Sequence, residues 1–281
     1  MKLFKGCLTF LLFVSSLCAT TISMTTGVHD FVVQDIHDDG FLGTLPSGTS
    51  HAVGVNLGVY VEHNTSKDTH IFAKAEAFLD RDKDHLDPDH YPVWFDFLVR
   101  IDAKAYSFEH SYIAWYIYMD NRQNTLSCIE REVRQQIGIG WVYDKDDFSI
   151  ALNGYGGFYY IELDDDTPVA RGYNRQELDD GEAANAWEIV VKYKVSKQWD
   201  FSLQKRDYFA NNGFESLEQN FEFLLNYHVK ENSFFNKNSA LHLKIRHVKY
   251  DFTRFNQHAV DILPWDNDTL IQGYISVPIA W

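Results

Sequence analysis

The chain has 281 residues, with 40 Asp and Glu against 25 Lys and Arg, a formal charge of −15 and 16% aromatic residues. This charge, without any run of Lys or Arg, argues against nucleic acid as a partner, because binding a phosphate backbone needs a basic stripe. A hydrophobic content of 45% excludes a disordered polyelectrolyte and is enough for one large domain.

Residues 1–19 have the pattern of a secretory signal peptide. Lys2 and Lys5 precede an apolar run from Leu8 to Leu17, and small residues follow. The run is shorter than the roughly 20 residues of a spanning helix, so we expect cleavage rather than anchoring. Removing the two lysines leaves 25 − 2 = 23 basic residues against 40 acidic ones, and the predicted mature domain, 20–281, therefore carries a charge near −17.

Most of the mature chain has a hydrophobic pattern that repeats every second residue, which is typical of β-strands. In the first clear example, Val53, Val55 and Leu57 alternate with small or polar residues. Several such segments have ten to thirteen residues, which suits a tilted strand that crosses a bilayer. The pattern predicts twelve strands, near 27–36, 51–63, 69–79, 94–105, 110–119, 133–143, 148–161, 186–195, 200–209, 217–229, 240–251 and 269–281.

The connections between these strands alternate in length. Short joins take turns with longer ones, which lie at 37–50, 80–93, 120–132, 162–185 and 252–268. The long segment 230–238 and the short segment 210–216 break the rule. An even strand number with alternating connections is typical of a transmembrane barrel with both termini on the inner side. We therefore predict an all-β fold, an antiparallel up-and-down β-barrel of about 12 strands; a secreted β-sandwich is the alternative.

In such a barrel the charged residues of each strand must face inward, because a charge on the lipid face at mid-bilayer costs a few kcal/mol. The charged residues predicted to face inward are seven acids and nine bases, and the bases include Lys194 and Arg206. Lys205 falls on the predicted lipid face, which indicates a register slip or a bulge. The residues predicted to line a pore are Glu62, Lys74, Glu76, Asp96, Arg100, Asp102, Lys104, Arg134, Glu188, Lys192, Glu218, Glu222, Lys244 and Arg246.

Aromatic residues cluster near both predicted ends of the strands, as in the interfacial belts of membrane proteins. The set near the inner ends is Trp141, Tyr143, Phe148, Tyr193, Trp199, Tyr227 and Trp281. The set near the outer ends is Trp94, Phe158, Tyr160, Trp187, Tyr250 and Phe252.

The final segment, 269–281, ends on Trp281 after alternating Ile275, Val277 and Ile279. It resembles the closing strand of bacterial outer-membrane β-barrel proteins of the porin-like type, without indicating a subfamily. Pro278 departs from the pattern and should disturb pairing at the seam, because proline lacks a backbone donor. The resemblance implies the outer membrane of a Gram-negative bacterium, contact with its lipid and lipopolysaccharide, and recognition of this strand by the barrel-insertion machinery.

The function that we predict is a small porin-like channel for diffusion of small polar or anionic solutes, with no cofactor. In a second interpretation, the opposite charges pair across the interior and close it, and the protein acts through its acidic external loops. A third is a lipid-modifying hydrolase, which needs Ser and His within hydrogen-bond reach, or a metal-activated water, on the lipid-facing wall. His247 is the only histidine that we place there near mid-strand, and no Ser lies on the outward face of the neighbouring strands.

The acidic segment that starts at Asp80 has oxygen ligands at alternate positions, as in an EF-hand loop. Its sixth position is His85 rather than Gly, and its twelfth is Tyr91 rather than Glu. We therefore predict no specific metal site, and we keep Asp80, Asp82 and Asp84 as weak candidates for binding divalent cations.

Overall fold

The computed structural model describes residues 20–36, 48–81, 93–123, 129–163, 179–211, 213–230, 238–252 and 265–279. The predicted signal peptide, 1–19, and Trp281 lie outside the described residues. In the described part of the chain, no helix has the length and apolar character needed to cross a membrane.

The structure confirms the twelve predicted strands. Their bounds are β1 Thr20–Ile36, β2 Gly48–Ser66, β3 Thr69–Asp80, β4 Val93–Ser107, β5 Ser111–Gln123, β6 Ile129–Lys145, β7 Phe148–Leu163, β8 Asp179–Lys194, β9 Trp199–Ala210, β10 Ser216–His228, β11 Ala240–Tyr250 and β12 Trp265–Ile279. β1 and β8 begin well before their predicted starts. The first residues of both strands are mostly polar or small, so they carry little hydrophobic alternation. Backbone pairing with the neighbouring strands makes these residues extended; Thr25 of β1, for example, lies opposite Gly58 and Ser276.

The twelve strands form one closed barrel. Each strand pairs antiparallel with the next, and β12 returns to pair with β1, where Thr26 lies opposite Ile275. Closure gives every strand two neighbours, so no edge of the sheet is left to lipid. We call the end of the barrel at which β1 begins and β12 ends the inner end. The joins at 67–68, 108–110, 146–147 and 195–198 lie there and are short.

The two faces of the barrel wall have opposite polarity. Large apolar side chains point outward and are exposed, with Val28 at 61%, Ile137 at 69% and Ile139 at 63%. Charged side chains point inward, and Arg134 and Glu218 are each only 1% exposed. A soluble barrel has the reverse arrangement, so this wall is built to contact hydrocarbon. The closed barrel excludes the β-sandwich alternative.

The predicted aromatic belts are only partly present. Near the inner end, Trp141 and Trp199 are exposed on the outside of the barrel, as expected. Near the outer end, the prediction was wrong for Trp94, Tyr250 and Phe252, which are buried inside the barrel. Trp94 lies two residues before the inward-facing Asp96, and Tyr250 lies four residues after the inward-facing Arg246. Residues an even number of positions apart on a strand share a face, which we call having the same parity, so both aromatic side chains point inward.

Two expected irregularities are absent from the described strands. Pairing with β1 continues through Pro278 to Ile279, whereas pairing with β11 ends at Ser276. The missing N–H of Pro278 therefore removes no bond to β11. Lys205 faces outward in an unbroken register with β8, so the predicted slip or bulge there was wrong. Its charge is instead compensated by Asp207, whose carboxylate lies 2.7 Å from the ammonium.

Candidate functional site

A cavity of about 750 Å³ occupies the inner half of the lumen, and we call it the vestibule. Its walls are the inward side chains of β2 to β12, and it extends to Lys67 and Asp68 in the turn after β2. A cavity of this volume can hold a molecule of several hundred daltons.

The fourteen residues predicted to line a pore all occupy inward-facing positions, at two levels. Four are buried beyond the vestibule: Glu76, Arg134, Glu188 and Glu218. The other ten line the vestibule: Glu62, Lys74, Asp96, Arg100, Asp102, Lys104, Lys192, Glu222, Lys244 and Arg246. The structure thus places them on the inner wall, whereas the passage of a solute past them stays a prediction.

The vestibule wall is nearly neutral and largely ion-paired. Its lining includes eight Lys and Arg side chains against seven Asp and Glu. The Lys74 ammonium lies 2.7 Å from the Asp96 carboxylate and 3.1 Å from that of Glu76. Lys104 and Lys192 form no ion pair with another described residue, and the Lys104 ammonium lies 4.4 Å from the centre of the Tyr112 ring. With eight basic and seven acidic side chains, the vestibule lining has a net charge of one positive unit.

Beyond the vestibule, the outer half of the lumen is filled by side chains. Its centre is Arg134 on β6, which contacts Glu218 on β10. The same guanidinium donates to Glu132 at 2.9 Å and to the Tyr159 hydroxyl at 2.9 Å, and it lies 3.4 Å from Asp120. Buried charges are tolerated only when they are paired in this way.

The walls also touch across the diameter of the barrel. β5 and β11 are six strands apart in either direction around the barrel, so they lie opposite each other. Both terminal nitrogens of Arg122 on β5 lie 3.2 Å from the hydroxyl of Tyr250 on β11. The same hydroxyl donates to Asp268 at 2.6 Å. We call the group formed by Arg122, Glu132, Arg134, Tyr159, Glu218, Tyr250 and Asp268 the closing layer.

A smaller buried cluster lies near the outer end of β3. The carboxylate of Asp80 lies 2.5 Å from His29 Nε2 and accepts a hydrogen bond from the Trp94 indole at 3.1 Å. Both of its oxygens are thus engaged inside the barrel. The other weak cation candidates, Asp82 and Asp84, lie outside the described residues. The described residues contain no group of three or more His, Cys, Asp or Glu arranged to hold a metal ion.

On the lipid-facing wall, His247 lies beside a threonine rather than a serine. Its Nδ1 is 2.9 Å from the hydroxyl of Thr269. A serine and a histidine do lie within hydrogen-bond distance in the described structure, but inside the lumen: Ser276 Oγ is 2.7 Å from His242 Nε2.

Sequence reasoning missed the closing layer and the Ser276–His242 contact for different reasons. The partners Arg134 and Glu218 are 84 residues apart, and Arg122 and Tyr250 are 128 apart. No local pattern links them. The positions of Ser276 and His242 can be predicted, because both residues face inward on β12 and β11, which are adjacent in the chain. A lipid hydrolase, however, calls for a serine on the outer face, and Ser276 lies on the inner one.

No protein family model matches the chain, and no curated protein matches it in sequence. Among solved structures, it is similar to an outer membrane channel from Pseudomonas putida F1, with a TM-score of 0.52 and 8% identity over 94% of this chain and 97% of that one. The NanC porin has a TM-score of 0.49 and 9% identity over 92% of this chain and 100% of that chain. The KdgM porin, solved in complex with disordered oligogalacturonate, has a TM-score of 0.47 and 8% identity over 91% and 99%. The chain thus shares the β-barrel fold of the Pseudomonas putida outer membrane channel.

Proposed function

We propose that the protein is an outer-membrane channel for small polar or anionic solutes, whose outer half is closed in the conformation described above. The observation that carries this proposal is the vestibule, about 750 Å³ of charge-lined space inside a barrel whose outer wall is apolar. Charged side chains around an aqueous path set the selectivity of such channels. The excess of one positive charge favours anions weakly.

In this proposal the closing layer is the barrier to flow. Its contacts join β6 to β10 and β5 to β11, so it must rearrange before a solute can pass the outer half. Networks of salt bridges and hydrogen bonds that have a second discrete arrangement can carry such a transition.

A closed barrel that acts through its external loops is the second candidate. The contact between Arg122 and Tyr250 across the barrel diameter favours it. This candidate predicts that replacing 163–182 abolishes binding of a partner protein without loss of folding.

The remaining parts of the proposal concern location. Export is directed by the signal peptide at 1–19, and the final strand is recognised by the barrel-insertion machinery of a Gram-negative bacterium. The exposed apolar band around Ile137 and Ile139 supports a location in the lipid of the outer membrane. The acidic loops then face lipopolysaccharide and its divalent cations.

Ionic current across planar bilayers tests the channel. The proteins to compare are the wild type, the double variant Arg134→Ala/Glu218→Ala and the control Arg131→Ala, which removes an outward-facing charge from the same strand. Current steps in the wild type support a channel, more frequent steps in the double variant identify the closing layer as its barrier, and the control should match the wild type. A folded wild type that stays silent, whether or not the double variant conducts, refutes the channel and leaves the closed barrel.

A further inference from the structure

A chain of four polar side chains crosses four adjacent strands on the inner wall of the vestibule. Ser276 Oγ lies 2.7 Å from His242 Nε2, and His242 Nδ1 lies 2.7 Å from Asn226 Oδ1. The Asn226 amide donates to Asp200 at 2.6 Å. We propose that Ser276, His242 and Asn226 form a nucleophilic site that hydrolyses esters of small polar molecules held in the vestibule.

The barrel register brings these residues together. Asn226 on β10 lies directly opposite both Asp200 on β9 and His242 on β11. His242 lies opposite Tyr274 on β12, and Ser276 is the next inward-facing residue of that strand. Strand positions hold side chains more precisely than loops do, which favours a fixed catalytic geometry.

The hydrogen-bond partners determine where the protons lie. The Asp200 carboxylate only accepts hydrogen bonds, so Asn226 must turn its amide nitrogen toward it. The carbonyl oxygen of Asn226 then faces His242 and requires a proton on Nδ1. This leaves the lone pair of Nε2 directed at Ser276, whose hydroxyl donates to it. A base oriented by a third group and in contact with a hydroxyl is the arrangement that activates serine for attack.

The base is fixed in position and open to solute. The ring of Tyr274 stacks on His242 with a centroid separation of 4.4 Å and an interplanar angle of 14°. His242, Asn226 and Tyr274 all line the vestibule, and Ser276 is partly exposed. A solute in the vestibule therefore contacts His242 directly, and Ser276 lies next to the lining, within hydrogen-bond distance of His242.

The reaction proceeds by two acyl transfers. The Ser276 oxygen bonds to the ester carbonyl carbon, while its proton passes to His242 Nε2. The tetrahedral intermediate collapses, the bond to the alcohol oxygen breaks, and the departing alkoxide takes the proton from His242. Water from the vestibule then attacks the acyl group on Ser276 and gives a proton to His242, which returns it to Ser276 as the carboxylic acid leaves. His242 and Ser276 are the catalytic residues, and Asn226 is a positioning residue.

The test uses the full mature chain, folded in detergent, with a biotinylated alkyl fluorophosphonate and with p-nitrophenyl acetate. We expect the probe to label Ser276, as located by peptide mass mapping. Ser276→Ala and His242→Ala should lose labelling and slow ester hydrolysis at least about 100-fold. Asn226→Ala should lower kcat with KM unchanged, and because loss of folded protein would also lower the apparent kcat, the rate is expressed per folded barrel, quantified by circular dichroism.

Two controls keep the result interpretable. Ser111→Ala removes a serine at the start of β5 that does not line the vestibule and should behave as the wild type. Ser276→Cys nearly preserves side-chain volume and should still lose fluorophosphonate labelling, while circular dichroism shows that the barrel is intact. A folded wild type that is not labelled, or equal labelling of Ser276→Ala, overturns the site. Because hydrolysis in detergent requires no ion flow, this result is independent of the conductance experiment.

Discussion

The buried cluster around Arg134 provides the sharpest test of how the lumen is held closed. The guanidinium is 1% exposed and contacts the carboxylates of Glu218 and Glu132, with Asp120 at 3.4 Å. Replacing Arg134 by Met removes the cation and leaves these acids close together in a buried setting. Breaking a buried ion pair by removing one partner costs about 3–5 kcal/mol.

We therefore expect Arg134→Met to lower the free energy of unfolding by about 3–5 kcal/mol. The measurement is urea unfolding of the barrel in phospholipid vesicles, followed by tryptophan fluorescence. The matched control is Arg131→Met on the same strand, whose guanidinium is 41% exposed and 2.9 Å from Glu162. Exposed pairs of this kind contribute at most about 1 kcal/mol.

A double variant separates charge pairing from loss of packing. Arg134→Met/Glu218→Gln removes one of the uncompensated acids, so it should be more stable than Arg134→Met alone. If Arg134→Met changes the unfolding free energy no more than the Arg131 control does, the closing layer does not stabilise the barrel and the reasoning fails.

Three further predictions concern the wall, the selectivity and the lipid face. Gly138→Ala should destabilise the barrel by about 1–3 kcal/mol, because the added carbon would lie 2.3 Å from the Tyr155 ring. The control Gly154→Ala adds a carbon with no atom within 4 Å, so it should unfold at the same urea concentration as the wild type. Arg100→Glu should move the zero-current potential in a KCl gradient toward cation preference, and an unchanged potential in a conducting protein would place Arg100 outside the ion path. Lys205→Met should destabilise the barrel in vesicles more than Lys205→Met/Asp207→Asn does, because the single change leaves the Asp207 carboxylate unpaired, and equal unfolding midpoints would contradict this.

Much of the fold follows from sequence because lipid imposes a simple rule on each strand. Once alternate residues must contact hydrocarbon, parity alone places Ile137 outside and Arg134 inside, and the twelve strands and their connections follow. The outer aromatic belt was wrong because residue type was given more weight than parity. Trp94 was assigned to an outer belt for its residue type, although it has the parity of the inward-facing Asp96.

The candidate site was less accessible to sequence reasoning. Which inward charges meet depends on the shape of the barrel cross-section, and no local pattern predicts that Arg122 touches Tyr250. The Ser276–His242 contact is easier to predict from the sequence, since both residues face inward on neighbouring strands. The alternation of the two strands is enough to place both side chains on the lumen wall.

The central claim is that each strand turns one face to lipid and the other to an aqueous lumen, and spin labels at consecutive residues of β7 test it most directly. Labels at Ile150 and Leu152, which face outward, should collide preferentially with oxygen dissolved in the bilayer. A label at Ala151, which lines the vestibule, should collide preferentially with a water-soluble nickel chelate. Alternating accessibility of the three positions is the expected result, and uniform or reversed accessibility in the membrane-inserted protein would contradict the account.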